Sequence, residues 1–266
     1  MTRFFRIRKD RERMEFKLDM HTHTIASGHA YATVLEMIRA AADRGLELLG
    51  ITEHAQGLPG TCGNMYFQNM RVIPRKMYGM EIMMGAEINI LDYNGTLSLE
   101  EEFIDKNLDI RIAGIHDLCY DIGTVSQNTQ AIVRAIENPQ VDIISHPDDS
   151  RIPIDYETIV DAAKENHTLL EVNNSSLDCL SSRVGAWDNL QVMLKICEDK
   201  KVPVIADTDS HFADAVGVFD HVSVLLKEID FPEELVVNRS VDFLKAEIRK
   251  HREILTIGKQ VYQTED

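Results

Sequence analysis

Seven times along this chain a short apolar run gives way to a polar loop and then, in most cases, to a stretch with helical spacing of its apolar residues. The runs are 16–20, 46–52, 81–90, 108–115, 141–145, 168–172 and 202–206. Val34, Leu35, Ile38 and Ala41/Ala42 form a stripe in a helix predicted over 31–44 and stopped by Gly45. Pro74 makes the segment 67–78 a short or broken piece. Glu100, Glu101 and Glu102 suit the start of a helix, where unpaired N–H groups carry partial positive charge. Further helices are predicted over 126–137, 156–166 and 188–200, and two more around Asp230-Phe231-Pro232. Nearly unbroken apolar strands alternating with helices specify an α/β fold whose parallel sheet is covered on both faces. Seven units point to a closed or nearly closed barrel, with an open doubly wound sheet as the alternative.

The ends of those runs carry the chemistry. His21-Thr22-His23 follows the first, and His29 lies in the turn beyond. Residues i and i+2 of a strand share a face, about 6.5 Å apart, so two such imidazoles can converge on one ion. An H-x-H pair alone is weak evidence. Here, however, later runs end in His54, Glu87, His116, His146 and Asp209-Ser210-His211. In an α/β barrel all strand C-termini lie on one face, where active sites are built. Nine residues should therefore meet, and seven of the ten histidines are among them. Such His/Asp/Glu sets suit zinc, manganese or iron. Three four-coordinate ions need about twelve positions. Nine ligands with Glu87 bridging two ions leave room for water and a substrate oxygen, which is an open catalytic arrangement. A metal there lowers the pKa of bound water to about 7 and neutralises a phosphoryl oxygen. Glu53 and Asp207 are placed to accept the second N–H of a ligand imidazole. Asn173 and Asn174 either line the site or cap the turn. Arg71 and Arg183 follow strands and can grip phosphate as forks.

Composition narrows the partners. The formal charge is −16 over 266 residues, which argues against bulk binding to nucleic acid or an anionic membrane. Cys62, Cys119, Cys179 and Cys197 are scattered, as reduced thiols in a cytoplasmic protein would be. Residues 1–14 form a basic extension without the apolar core of a signal peptide, and no apolar run approaches the roughly 18 residues of a membrane span. One domain is expected over 15–255, with a tail over 256–266.

The chain resembles the PHP (polymerase and histidinol phosphatase) family, and within it the small bacterial phosphatase branch. The resemblance covers roughly 16–245. It rests on His21-Thr22-His23 with His29, Ile51-Thr52-Glu53-His54, Gly85-Ala86-Glu87, Ala113-Gly114-Ile115-His116, Ile144-Ser145-His146-Pro147 and Asp209-Ser210-His211. It implies a distorted seven-stranded (β/α)7 barrel with its active site at the strand C-terminal face. It also implies three divalent ions, usually zinc, and hydrolysis of phosphate esters. By the family pattern His21, His23, Glu87 and Asp209 hold one ion, Glu87, His116 and His146 a second, and His29, His54 and His211 a third. Glu53 departs from the Asp common before the second-strand His, and Asp148 from the Gly that often follows His-Pro.

The expected function is metal-dependent hydrolysis of a small phosphomonoester by a metal-bound hydroxide. Glu87 and Asp209 organise the centre, and Arg71 or Arg183 helps hold phosphoryl oxygens. A phosphodiesterase or nuclease on the same centre is one alternative. A metal-binding regulatory module without catalysis is another. A zinc amidohydrolase would want a bridging lysine, and none is suitably placed.

Overall fold

The computed structural model describes residues 14–263, so the basic extension lies outside the described residues apart from Met14. Seven parallel strands form one sheet in sequence order: β1 (Leu18–Asp19), β2 (Leu48–His54), β4 (Met80–Asn89), β5 (Ile110–Gly114), β6 (Ile143–Ile144), β7 (Leu169–Asn173) and β8 (Val204–Asp207). A bridge between Thr22 and Ser210, with the His23 N–H donating to the Ser210 carbonyl at 2.8 Å, ties the first strand to the last. The sheet is therefore a nearly closed barrel, and the open-sheet alternative falls away.

The helices are α1 (Val34–Asp43), α2 (Asn64–Asn69), α3 (Glu101–Asn107), α4 (Val125–Ile136), α5 (Tyr156–Asn166), α6 (Ala186–Lys200), α7 (Asp220–Glu228) and α8 (Val241–Gln263). α1 starts with its apolar stripe at Val34, three residues later than the predicted range of 31–44. Thr33 caps it, and Glu36 reaches back to the Thr33 N–H at 2.7 Å, a reciprocal box that fixes the first turn. Pro74 acts as expected: α2 passes into a 3-10 turn over Met70–Val72 and stops. The sequence reading missed β3 (Lys76–Met77), which pairs antiparallel with β4. Tyr78 and Gly79, at φ 51° and 82°, form the two-residue turn between them, and both adopt the left-handed conformation such a hairpin requires. α8 continues to Gln263, into the segment expected to be a tail. Among the described residues no helix is long and apolar enough to cross a membrane.

The register explains where the site must sit. Leu48, Ile112, Ile143 and Leu169 belong to one buried cluster with Leu18 and Ile205, and neighbours across the ladder share a face. This cluster is the barrel interior, and Leu244 and Ile248 of α8 join it. Further along the same inward rows the residues become polar: Leu48 leads to Thr52 and His54, Met83 to Glu87 and Asn89, Leu169 to Glu171 and Asn173, and Ile205 to Asp207 and Asp209. The outward rows stay apolar and pack on helices in two larger clusters. An apolar floor thus carries a polar ceiling at the C-terminal ends of the strands.

Candidate metal centre

Most of the inward rows carry, at or near their ends, a side chain able to ligate a cation. The register sets His54 of β2 beside Glu87 of β4, and His116 continues the inward row of β5. His21 and His23 follow β1. His29 follows a 3-10 turn (Ile25–Ser27) that Gly28 ends at φ 84°, where a Cβ would lie 2.5 Å from Gly60 backbone atoms. His146 and Asp209 reach inward through left-handed backbone, φ 30° and 52°. Residues with a Cβ rarely adopt that conformation, and functional sites are where it concentrates.

Glu87 is the hub. Its Oε2 lies 2.9 Å from His54 Nδ1, 3.2 Å from His21 Nε2 and 3.5 Å from His23 Nε2. Its Oε1 lies 2.7 Å from His146 Nε2 and 3.3 Å from His116 Nε2, and accepts from the Ser145 hydroxyl at 2.9 Å. Gly114 makes room for this: a Cβ there would stand 2.2 Å from Ser145 Oγ. Asp209 Oδ1 lies 3.2 Å from His23 Nε2 and 3.6 Å from His21 Nε2. At the outer edge His29 Nε2 and His211 Nε2 are 2.9 Å apart, and the His54 ring stands 4.3 Å from that of His23 and 4.9 Å from that of His29.

The surrounding acceptors fix the ring tautomers. His21 Nδ1–H donates to Glu171 Oε1 at 2.7 Å, His116 Nδ1–H to Asn89 Oδ1 at 2.8 Å and His211 Nδ1–H to the Asp209 carbonyl at 2.9 Å. His23 Nδ1–H donates to Ser27 Oγ at 3.0 Å, because the Ser27 proton goes to Glu53 Oε2 at 2.6 Å. Each of these rings thereby turns its Nε2 toward the cluster. His21 Nε2, His23 Nε2, His116 Nε2, His54 Nδ1 and Glu87 Oε2 are buried, and no well-formed hydrogen bond reaches them. One unmatched buried polar atom costs about 1–3 kcal/mol. Five at one place fit bound cations, which such lone pairs would satisfy. The ligand atoms fall into three groups compact enough for one ion each: His21/His23/Glu87, His54/Glu87/His116 and His23/His54/His211.

Charge at the site is mutually compensating: burial lowers His21, but Glu171, Glu87 and Asp209 outweigh it and hold the ring well above the usual histidine range, a role in which a bound cation would replace the proton. Burial opposes charge on Glu87, but the His21, His116 and His54 rings outweigh it and hold the carboxyl well below its usual range. Asp209 is likewise kept ionised against burial, by His21, His23 and Arg183. Burial and the nearby Arg183 lower His146 to about 4, so its ring is neutral, as a ligand must be.

All nine expected ligands therefore come to one place, and one of the two arginines joins them. Arg183 donates through Nη1 and Nη2 to Asp209 Oδ2, both at 3.1 Å, and through Nη1 to Ser176 Oγ at 3.1 Å. Arg71 stands exposed on the 3-10 turn after α2, and none of these hydrogen bonds involves it. Among the described residues Glu53 and Asp207 do not accept an imidazole N–H directly, as the sequence suggests they should: Glu53 instead holds the loop that carries the first histidines, through the Thr24 N–H at 3.0 Å and the Thr24 and Ser27 hydroxyls, and also accepts from Tyr66 at 3.0 Å. Asp207 sits lower, accepting from the Met20 N–H at 2.6 Å. Asn173 lies against both Glu171 and Asp209, and Asn174 ties its loop to the start of α7.

The sequence reading missed Glu171, Asn89, Ser27 and Ser145. Glu171 had a visible signal: it is an acid inside a buried apolar strand, in step with Asn173. Asn89 stands in the same relation to Glu87.

Comparison with known proteins bears on this arrangement. The family model described as "PHP domain" matches residues 19–184. A probable phosphatase of Clostridium novyi is 44% identical over 225 residues, covering 85% of this chain and 91% of the relative. One of Caldanaerobacter subterraneus is 43% identical over 252 residues, covering 94% and 98%. Among solved structures, the histidinol phosphate phosphatase of Lactococcus lactis, crystallised with zinc, L-histidinol and phosphate, superposes with a TM-score of 0.59 at 19% identity, covering 81% of this chain and 94% of that one.

Proposed function

The chain belongs to the PHP domain family, and on that premise we propose that it is a metal-dependent phosphatase acting on small phosphomonoesters with three divalent cations, zinc foremost. The observation that carries this reading is the convergence of unmatched buried ligand atoms on Glu87. The names of the relatives support the phosphatase class.

His21, His23, Glu87 and Asp209 would hold one cation, His116 and His146 with Glu87 a second, and His29, His54 and His211 a third. Cations held there supply an activated water as nucleophile and offset charge on phosphoryl oxygens. The chain's own groups prepare the place for this. Glu171, Asn89 and Ser27 each hold one imidazole in a single tautomer and orientation. Ser145 holds Glu87. Arg183 fixes the outer oxygen of Asp209 and brings a permanent positive charge to the place where a phosphoryl group binds. Arg183, and not Arg71, is thus the arginine assigned to substrate binding. A cytoplasmic location belongs to the same proposal.

The test is a panel of phosphomonoesters and phosphodiesters on metal-replete protein, with metal content measured on the same sample. Monoester turnover that chelation abolishes and zinc or manganese restores is the expected result. Preference for diesters would move the assignment to a phosphodiesterase. Turnover surviving His21→Ala combined with Asp209→Ala would sink the mechanism.

A further inference from the structure

The cluster is not equally open on all sides. His21, His23, His54, His146 and Glu87 are buried, whereas His29 is exposed and His211 and His116 are partly so. The accessible edge of the cluster is therefore made by these three outer rings together with the partly exposed Arg183. Each of the three rings has an exposed apolar neighbour close by in the chain: Tyr31 two residues after His29, Leu118 two after His116, and Phe212 directly after His211. Their exposures are 77%, 69% and 56%. Two of them are also held together in space. The Tyr31 N–H donates to the His211 carbonyl at 2.9 Å, and His29 and His211 face each other at 2.9 Å. No ring stacking involving Tyr31 or Phe212 occurs among the described residues. Large apolar side chains left this exposed, each within two residues of an outer histidine, are candidates for contact with a ligand.

We infer that Tyr31, Phe212 and Leu118 form an apolar rim that selects phosphomonoesters whose organic group is itself apolar or aromatic. This rests on the phosphatase reading above. The phosphate end is drawn to the buried cluster, and the organic end stays at the opening, where it covers apolar surface that is otherwise wet. A sugar or polyol phosphate would find few matching polar groups on these three side chains.

The experiment compares benzyl phosphate with glycerol 1-phosphate on zinc-replete protein. Both leave as alcohols, and intrinsic reactivity cancels when the ratio of their kcat/KM values is compared between variants. Tyr31→Ser, Phe212→Ser and Leu118→Ser are all at exposed positions, so the fold should tolerate them. The double variant Tyr31→Ser/Phe212→Ser is expected to reduce the benzyl-to-glycerol ratio by roughly tenfold, mainly through KM for the benzyl ester. A ratio that stays within twofold while both esters are turned over overturns the apolar rim and leaves the phosphatase reading standing. No turnover of either ester by the wild-type protein overturns both. A dimer by light scattering that the double variant converts to monomer, with the ratio unmoved, would assign the rim to self-association and also overturn the inference.

Discussion

Glu171 accepts the Nδ1–H of His21 at 2.7 Å through Oε1, while its Oε2 accepts the His146 backbone N–H at 2.6 Å. One buried carboxylate thus orients two of the candidate ligands, which follow different strands. Asn173 Nδ2 also donates to Oε2 at 3.1 Å, so both oxygens are committed. Glu171→Gln keeps the shape but turns a donor toward at least one of these donors. Partners of this kind typically account for 10–100-fold in metal affinity. The variant should therefore bind zinc about 10–100-fold more weakly in competition with a chromogenic chelator. At saturating zinc its activity should recover part of the way. Affinity within twofold of wild type would show that Glu171 does not orient the ligands.

Cation binding should also be visible as folding stability. Five unmatched buried atoms destabilise the metal-free chain, and a ligand present at 100 times its dissociation constant adds about 2.7 kcal/mol. For a chain of this size that corresponds to a rise in Tm of roughly 5–10 °C. Chelator-treated protein should show the rise on adding zinc or manganese, followed by differential scanning fluorimetry. Glu87→Gln should lose most of it, because Glu87 faces five of the histidines. An unchanged Tm on adding metal would count against a cation site there.

Arg183 offers a sharper discrimination. Its two terminal nitrogens share Asp209 Oδ2, a fork that the compact ammonium of lysine cannot reproduce. Charge-assisted bonds of this type are worth about 1.5–3 kcal/mol, so Arg183→Lys should lower kcat/KM for a phosphomonoester by roughly tenfold to a hundredfold. Arg71→Ala, at an exposed turn, should cost far less. Comparable losses in the two variants would restore Arg71 to the candidate site.

The sequence made the strand ends legible because parallel strands of a barrel all deliver their C-termini to one face, whatever the loops do. His54, Glu87 and His116 could be placed on that rule alone. The same rule brings His146 and Asp209 to that face, but it does not foretell the left-handed backbone through which they turn inward. Asn89, Ser27 and Glu171 escaped notice because amides, hydroxyls and a lone acid are common everywhere. Only contact with a ligand ring gives them meaning. Arg71 shows the converse limit: a position after a strand does not by itself say how near a side chain lies to the site, and α2 with its 3-10 turn leaves this one exposed. The hairpin strand β3 was hidden for a local reason: Tyr78-Gly79 lacks the Asn or Asp that usually marks such a turn.

His251 yields a prediction away from the site. It lies on α8, buried, with its Nδ1–H donating to the Asn166 carbonyl at 2.7 Å and its Nε2 without a partner. Burial, helped by Arg252, holds its pKa below the usual histidine value against the opposing pull of the Asn166 and Asn138 carbonyls and of Asp142. The ring is therefore neutral in the fold and takes up a proton on unfolding once the pH falls below about 6.5. A state that binds more protons when unfolded loses stability as pH falls, and each unit of depression contributes about 1.4 kcal/mol. Urea unfolding of chelator-treated protein between pH 7.5 and 5 should show this loss. His251→Leu removes the titrating ring, so its stability should fall less steeply over the same range, even if it is lower at pH 7.5. Parallel pH profiles for the two proteins would show that His251 is already protonated in the fold or does not contribute.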